Sequence, residues 1–142
     1  MSITLANHID APAWNGYVLN HPDSAVYHRY EWKRVIEQVF GHKTFYLVSK
    51  SGSGIIDGIL PLVMLKSALF GHFMVSLPYL NYGGILADDA EVGKKLLAEA
   101  VTIAQAQRLA HIELRHREDK PIHLPAKTSK VTLMLELPES AD

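Results

Sequence analysis

The segment from Tyr79 to Gly84 concentrates the side chains best suited to hold a polar ligand. Two tyrosine hydroxyls and one amide, from Tyr79, Asn81 and Tyr82, precede the adjacent glycines Gly83 and Gly84. In a cleft, such groups can hydrogen-bond a peptide or a sugar, and glycines let the backbone approach a ligand. The same residues also fit tyrosines packed at the edge of the core and a tight glycine turn with positive backbone φ angles. Both interpretations stay open.

Two arginines join this segment as candidate substrate-binding residues. Glu113 and Arg115 are two residues apart in an alternating segment, so they share one face of a strand. They either bind charge in a central cleft or form a cross-strand salt bridge. His28 and Arg29 stand where the second helix is expected to begin, a position where the helix dipole disfavours a cation. An anionic ligand, an acidic partner or simple exposure would each explain that pair.

The chain offers no recognisable nucleophile or metal site. Cysteine is absent, which removes thiolate chemistry and disulfides. There are eight histidines, but no His-x-x-x-His or Glu-x-x-His pair falls on a predicted helix. We therefore expect no bound metal, and the sequence identifies no catalytic residue.

Composition indicates one soluble globular domain. The chain has 142 residues, of which 48% are hydrophobic and 20% charged, with a formal net charge of -1. That balance gives no uniform field to attract nucleic acid or an anionic membrane. The longest apolar run, from Ile59 to Leu65, is far shorter than the roughly 20 residues of a membrane helix. The amino-terminal residues show no secretory pattern, so we expect a cytoplasmic protein without membrane insertion.

Hydrophobic periodicity and turn residues predict a mixed α/β fold. Val92, Leu96 and Ala100 repeat at helical spacing after Asp88 and Glu91, which resemble a capping box. In chain order, we predict a strand at 3–5, helices at 12–19 and 30–40, strands at 44–49, 55–65 and 73–77, a helix at 88–108, a strand at 112–114, a loop at 117–129 and a strand at 131–137. The segments 44–49 and 55–65 should form an antiparallel hairpin, in which Pro61 requires an edge, a bulge or a strand crossing.

This order matches much of the GNAT-type N-acyltransferase fold, and several short motifs resemble the amino-terminal half of FemAB-like proteins. The resemblance is to the branch found near exosortase and exopolysaccharide gene clusters, and it extends from about Trp14 to Leu137. The motifs are Tyr27-His28-x-x-x-Trp32, Gly41-His42, Gly58-Ile59-Leu60-Pro61-Leu62, Ser67-x-x-Phe70-Gly71, Ser76-Leu77-Pro78-Tyr79, Asn81-Tyr82-Gly83-Gly84 and Glu113-Leu114-Arg115.

The resemblance implies a GNAT-like lobe, residues 1–142, of a longer two-lobed aminoacyl or acyl transferase. Such an enzyme forms an amide on a cell-envelope or polysaccharide precursor, and its better-known relatives take the amino acid from aminoacyl-tRNA. The expected partners are therefore a small-molecule, peptide-linked or sugar-linked substrate, and either a second GNAT-like lobe or a second copy.

The resemblance also implies that the chain uses no coenzyme A. In GNAT enzymes, a Gln/Arg-x-x-Gly-x-Gly/Ala loop before a helix cradles the pyrophosphate of that cofactor. Here no basic or amide residue lies at the matching distance before a Gly-x-Gly/Ala pair, and Asp88 and Asp89 at the helix start would repel phosphate. We expect no cofactor. The alternatives are a non-catalytic lobe that binds a partner and, disfavoured by this loop, a coenzyme A-dependent N-acetyltransferase.

Overall fold

Six strands and three α-helices form the regular structure of the part of the chain that the computed structural model describes, residues 2–67, 69, 71–117 and 124–127. The strands are β1 (Ser2–Leu5), β2 (Lys43–Lys50), β3 (Ile56–Ser67), β4 (Gly71–Val75), β5 (Leu86–Ala87) and β6 (Ile112–Glu113). The helices are α1 (Ala11–Asn20), α2 (Glu31–Val39) and α3 (Ala90–Ala106), with short 3-10 turns at His8–Asp10 and Val26–His28.

The strands form one mixed sheet whose order is β1-β2-β3-β4-β6. Neighbours are antiparallel except β4 and β6, which are parallel. The same edge of β3 carries two partners: β4 pairs with residues 63–67 and β5 pairs with Gly58 and Ile59. Residues 76–85, here called the 76–85 loop, connect these two partners. The sheet edge is therefore broken between β4 and β5, and this loop leaves the sheet at the break.

Alternation along β2 and β3 gives the sheet two buried faces. Tyr46 and Val48 face the side covered by α1 and α2, where Trp14 is fully buried. Phe45 and Leu47 face the opposite side, which is covered by α3. The helices lie on both faces, and the predicted mixed α/β fold is confirmed.

Pro61 lies at the break in the sheet edge. It pairs with Tyr46 of β2 on one side. On its other side, β3 has partners at 58–59 and 63–67 only, so Pro61 falls between β4 and β5. A residue that lacks an N–H group is tolerated there, because no neighbouring strand asks it to donate.

The predicted elements differ from the observed ones mainly between residues 71 and 90. The strand predicted at 73–77 lies at 71–75, and the loop predicted to follow it contains β5. The N-cap of α3 is Asp89 and not Asp88, because the Asp89 side chain accepts the Val92 N–H at 2.8 Å. The strand predicted at 131–137 and most of the loop at 117–129 lie outside the described residues. No described helix is long and apolar enough to cross a membrane.

Gly58 fixes the distance between β3 and α3. A Cβ atom at this position would lie 2.6 Å from Cγ1 of Val92 and 2.9 Å from Cδ1 of Leu96. We predict that Gly58→Ala lowers the free energy of unfolding by about 1–3 kcal/mol through overpacking. Urea denaturation followed by circular dichroism measures this change.

The matched control is Gly16→Ala in α1. A Cβ atom at Gly16 meets no atom within 4 Å, and replacing glycine inside a helix stabilises by roughly 0.5–1 kcal/mol. An equal effect of the two substitutions would contradict the packing account.

Candidate functional site

The backbone after β6 binds the 76–85 loop to the sheet. The Arg115 carbonyl accepts two hydrogen bonds, from the Gly83 N–H at 3.0 Å and from the Gly84 N–H at 3.1 Å. The Arg115 N–H donates in turn to Oγ of Ser76 at 2.7 Å, and Nε2 of His116 accepts the Ile85 N–H at 3.0 Å. Both ends of the loop are thus held by residues 115–116, and the loop fills the break between β4, β5 and the end of β6.

Both glycines are required by close packing and not by their backbone angles. A Cβ at Gly83 would lie 2.6 Å from the Leu77 side chain, and one at Gly84 would lie 2.2 Å from the His116 ring. Neither Gly83 nor Gly84 has a positive φ, so of the two open interpretations the turn that requires such angles is wrong. The positive angles in this loop belong to Leu77, at 58°, and Tyr79, at 70°. Such angles cost non-glycine residues about 1–3 kcal/mol each, so the surrounding contacts hold the loop in a strained conformation.

His28 is a buried residue that contacts the 76–85 loop at Gly84. Its side chain is buried, its Nδ1 accepts the Ala25 N–H at 3.1 Å, and its Nε2 lies 3.2 Å from the Gly84 carbonyl. The two contacts assign the proton to Nε2, because Nδ1 faces a donor and Nε2 faces an acceptor. Burial lowers the pKa of His28 from 6.5 to about 4. The neutral ring therefore fits its surroundings and a protonated ring would not.

His28 and Arg29 do not open the second helix. They belong to the 3-10 turn at Val26–His28 and its end, whereas α2 begins at Glu31. Arg29 is exposed and pairs with Glu31 at 3.4 Å, and it does not line the cleft described next. The helix start was misplaced because a 3-10 turn has no distinct hydrophobic period.

A small cleft opens beside Gly84, with a cavity volume of about 20 Å³. Its walls include His28, Tyr82, Arg115 and His116. This volume holds about one water molecule, so the cleft admits a small group or the end of a ligand. The structure thus brings Tyr82, Gly84 and Arg115 of the predicted site together around two histidines.

The Arg115 guanidinium forms hydrogen bonds with other groups of the chain. Its Nε donates to the Glu113 carboxylate at 2.7 Å, and its Nη1 donates to the Leu80 carbonyl at 3.1 Å. The predicted salt bridge therefore exists, but it lies within one segment and does not cross strands. Arg115 lines the cleft while it anchors the 76–85 loop.

Tyr79 forms a separate aromatic cluster at the surface. Its ring stacks on Phe40 with centroids 4.4 Å apart, and its hydroxyl lies 2.8 Å from Nε2 of His42. Asn81 is also exposed, in the same loop. The predicted residues therefore divide into an exposed pair, Tyr79 and Asn81, and a group around the cleft.

The start of α3 is acidic and already capped. Asp89 occupies the N-cap and satisfies the Val92 N–H, and Glu91 lies in the first turn. Asp88 accepts the Tyr17 hydroxyl at 2.8 Å. Burial, together with Asp88, raises the pKa of Tyr17, so the hydroxyl stays protonated and donates. Negative charge at this helix start opposes phosphate binding. Among the described residues, no three histidine or carboxylate side chains come together to hold a metal ion.

Several solved structures with this architecture are acetyltransferases. The chain aligns over 95% of its length, and over 100% of the other chain, with a ribosomal-protein-alanine N-acetyltransferase from Brucella melitensis biovar Abortus 2308, at a TM-score of 0.62 and 12% identity. The fold is that of the GNAT acetyltransferases.

Two further GNAT-type structures show the same likeness. A GNAT family acetyltransferase from Staphylococcus aureus matches at a TM-score of 0.58 and 19% identity, over 95% of this chain and 100% of that one. The aminoglycoside 6'-N-acetyltransferase AAC(6')-IG from Acinetobacter haemolyticus matches at 0.60 and 13%, over 97% and 100%. No protein-family model and no curated protein matches the sequence. At these identities the likeness shows the fold alone, and the FemAB-like branch stays a prediction.

Coenzyme A, the cofactor that the GNAT fold suggests, does not fit the residues before α3. A pyrophosphate at this position would meet Asp88, Asp89 and Glu91, and the Asp89 carboxylate already accepts the Val92 N–H that would otherwise be free to bind it. The 76–85 loop also occupies the break in the edge of this sheet.

Sequence reasoning considered His28 only as part of a charged pair with Arg29, and it missed His116 as a site residue. Each is one histidine among eight, with no spacing that links it to Gly83 or Gly84. The available signal was the glycine pair itself, because glycine is the residue that lets a neighbouring group approach the backbone closely. Sequence alone cannot say which neighbour that is.

The contact between Gly84 and His116 can be measured as a coupling energy. We predict that Gly84→Ala lowers the free energy of unfolding by about 1–3 kcal/mol, because the new methyl group meets the His116 ring. His116→Ala also destabilises, since it leaves the Ile85 N–H without its acceptor. The double variant should lose less than the sum, by about 0.5–3 kcal/mol. Gly52→Ala is the control, because a Cβ there meets nothing within 4 Å. Strict additivity would contradict the contact.

Burial of neutral His28 predicts a pH-dependent stability. The unfolded chain binds a proton with a pKa near 6.5 and the folded chain near 4, so the unfolded state holds more protons between these values. Stability is full above pH 6.5 and falls as the pH falls towards 4. From pH 7.5 to 5, we expect a loss of about 2 kcal/mol from this residue.

Urea denaturation at both pH values checks this loss, and His28→Gln should remove it. Direct titration of the His28 ring signal by NMR provides a second measurement that does not depend on the variant folding. A ring pKa near 6.5 would contradict the account.

Proposed function

We propose that this chain is an acyltransferase lobe that forms an amide and takes its acyl group from a donor other than coenzyme A. In the manner of FemAB-like proteins, the donor is an aminoacyl or acyl carrier and the acceptor is an amine on a cell-envelope or polysaccharide precursor. The observation that carries this proposal is the acidic, capped start of α3 beside the 76–85 loop. The fold is suited to acyl transfer, but the phosphate cradle is replaced by carboxylates.

The arrangement of the loop supports a role in positioning substrate. Amide formation needs the amine and the acyl carbon held within reach of each other, because orientation supplies much of the rate. The cleft between His28, Tyr82 and His116 is rigid, since its walls are joined by hydrogen bonds. Asn81 and Tyr79 are exposed beside it in the chain and can contact a larger substrate. The proposal assigns positioning to these residues and names no catalytic base.

We also propose that residues 1–142 form one GNAT-like domain that works with a second lobe or a second copy in the cytoplasm. The chain spans the whole length of single-domain acetyltransferase structures, which supports the one-domain assignment. Light scattering of the purified chain tests the pairing. A strictly monomeric chain that retains transfer activity would count against it.

A coenzyme A-dependent N-acetyltransferase is the second candidate, because several solved structures with this fold are acetyltransferases. Calorimetric titration with acetyl-coenzyme A separates the two candidates. We predict no saturable heat at micromolar concentrations, since the carboxylates before α3 repel the pyrophosphate. Micromolar binding would overturn the proposed donor class.

Transfer itself can be tested with labelled aminoacyl-tRNA as donor and glucosamine or a lysine-containing peptide as acceptor. We predict an amide product with the wild-type chain and a loss of at least about tenfold with Asn81→Ala, a substitution at an exposed loop position that should leave thermal stability unchanged. The matched control is Asn20→Ala, an exposed asparagine at the end of α1. Equal loss in both variants would remove Asn81 from the site, and no product with either acceptor would count against the proposed function.

A further inference from the structure

The aromatic cluster of Phe40, His42 and Tyr79, here called the aromatic platform, is an unusual surface for this chain. Within the described residues, Phe40 and Tyr79 are the exposed large aromatic side chains, at 45% and 61% exposure, and they stack on each other. Aromatic rings at this exposure lose the benefit of burial. Packing in the hydrophobic core therefore does not explain why these two rings stack.

The three rings of the platform are nearly parallel. The three ring planes lie within 19° of one another. The Tyr79 hydroxyl meets Nε2 of His42 at 2.8 Å, and a hydrogen bond to that nitrogen lies in the imidazole plane, so these two rings join edge to edge. Phe40 covers one face of Tyr79. Tyr79 remains 61% exposed, so its other face is accessible to a ligand.

Two features of the backbone hold the platform in place. Gly41 has a φ of 67° at the end of α2, which turns the chain so that Phe40 and His42 present parallel rings. Tyr79 has a φ of 70°, an angle that a bulky residue rarely adopts. Strained positions of this kind cluster at ligand-binding sites, and here the strain carries an exposed ring.

The charges around the platform limit the kind of ligand. Glu37 accepts hydrogen bonds from Lys33 and Thr44. The Lys43 ammonium lies 4.9 Å from the centroid of the Phe45 ring. The charged groups that flank Phe40 and His42 in the sequence are therefore engaged elsewhere. Among the described residues, Lys43 is the cation adjacent to His42 in the sequence, and its ammonium already contacts the Phe45 ring, so an uncharged ring fits better than a nucleotide with its phosphates.

We propose that the aromatic platform binds the pyranose ring of an uncharged sugar, stacked on the exposed ring of Tyr79 beside His42. The electron-rich aromatic face attracts the C–H groups of the sugar, and the exposed Asn81 amide is near in the chain to bond its hydroxyls. The choice of an uncharged pyranose rests on the arrangement of these rings and on the charges around them. The further assignment of the sugar as part of the acyl acceptor rests on the proposed function.

NMR titration of the full chain with methyl β-D-glucopyranoside tests the proposal, because this sugar presents three axial C–H groups on one face. We expect saturable shifts of the Phe40, His42 and Tyr79 ring signals and no such shifts with glycerol. Tyr79→Asn removes the ring and tolerates the positive φ, so this variant should fold and bind about tenfold more weakly. Leu19→Ala, an exposed apolar side chain on α1, should bind like the wild type.

Three results would overturn the proposal: no saturable shift with the sugar, equal binding by Tyr79→Asn, or tighter binding of adenosine than of the sugar. The titration uses no acyl donor, so it is independent of transfer. If the chain does not bind the sugar but still catalyses transfer, only the proposal about the platform fails. If the chain binds the sugar but catalyses no transfer, the proposal about the platform stands and the proposed function fails.

Discussion

The pair of hydrogen bonds from Gly83 and Gly84 to the Arg115 carbonyl is the contact on which the candidate site depends. It joins a loop that leaves the sheet after β4 to the chain segment that follows β6, so the broken sheet edge is closed by the protein's own backbone. Only glycines permit this approach, because side chains at these positions would overlap Leu77 or His116.

Several features of the site follow from that closure. His28 must be neutral, since its buried Nδ1 accepts the Ala25 N–H while its Nε2 donates to the Gly84 carbonyl. Arg115 must stay in place, since its guanidinium also holds the Leu80 carbonyl. The ten-residue distance between β4 and β5 lets Tyr79 reach the end of α2, where it stacks on Phe40. The loop held by this backbone contact therefore contributes Tyr82 and Gly84 to the cleft and Tyr79 to the aromatic platform.

The fold was largely predictable from the sequence and the site only in part. The helices and the hairpin of β2 and β3 follow from local periodicity, which needs no knowledge of distant residues. The short strand β5 was missed because two residues give no period, and its partner Gly58 lies far away in the chain. The glycine pair was recognised, but His28 and His116 come to it through long-range packing, which no local pattern encodes.

The most direct measurement of the central contact is amide hydrogen exchange at Gly83 and Gly84, followed by NMR. The account predicts that both amides are protected to a degree comparable with the amides of β3, because opening them requires the loop to detach from Arg115. Both should remain protected in Tyr79→Asn, which alters only the exposed side of the loop. Exchange at the rate of an exposed glycine would contradict the account, because the sheet break would then be open to an incoming cofactor.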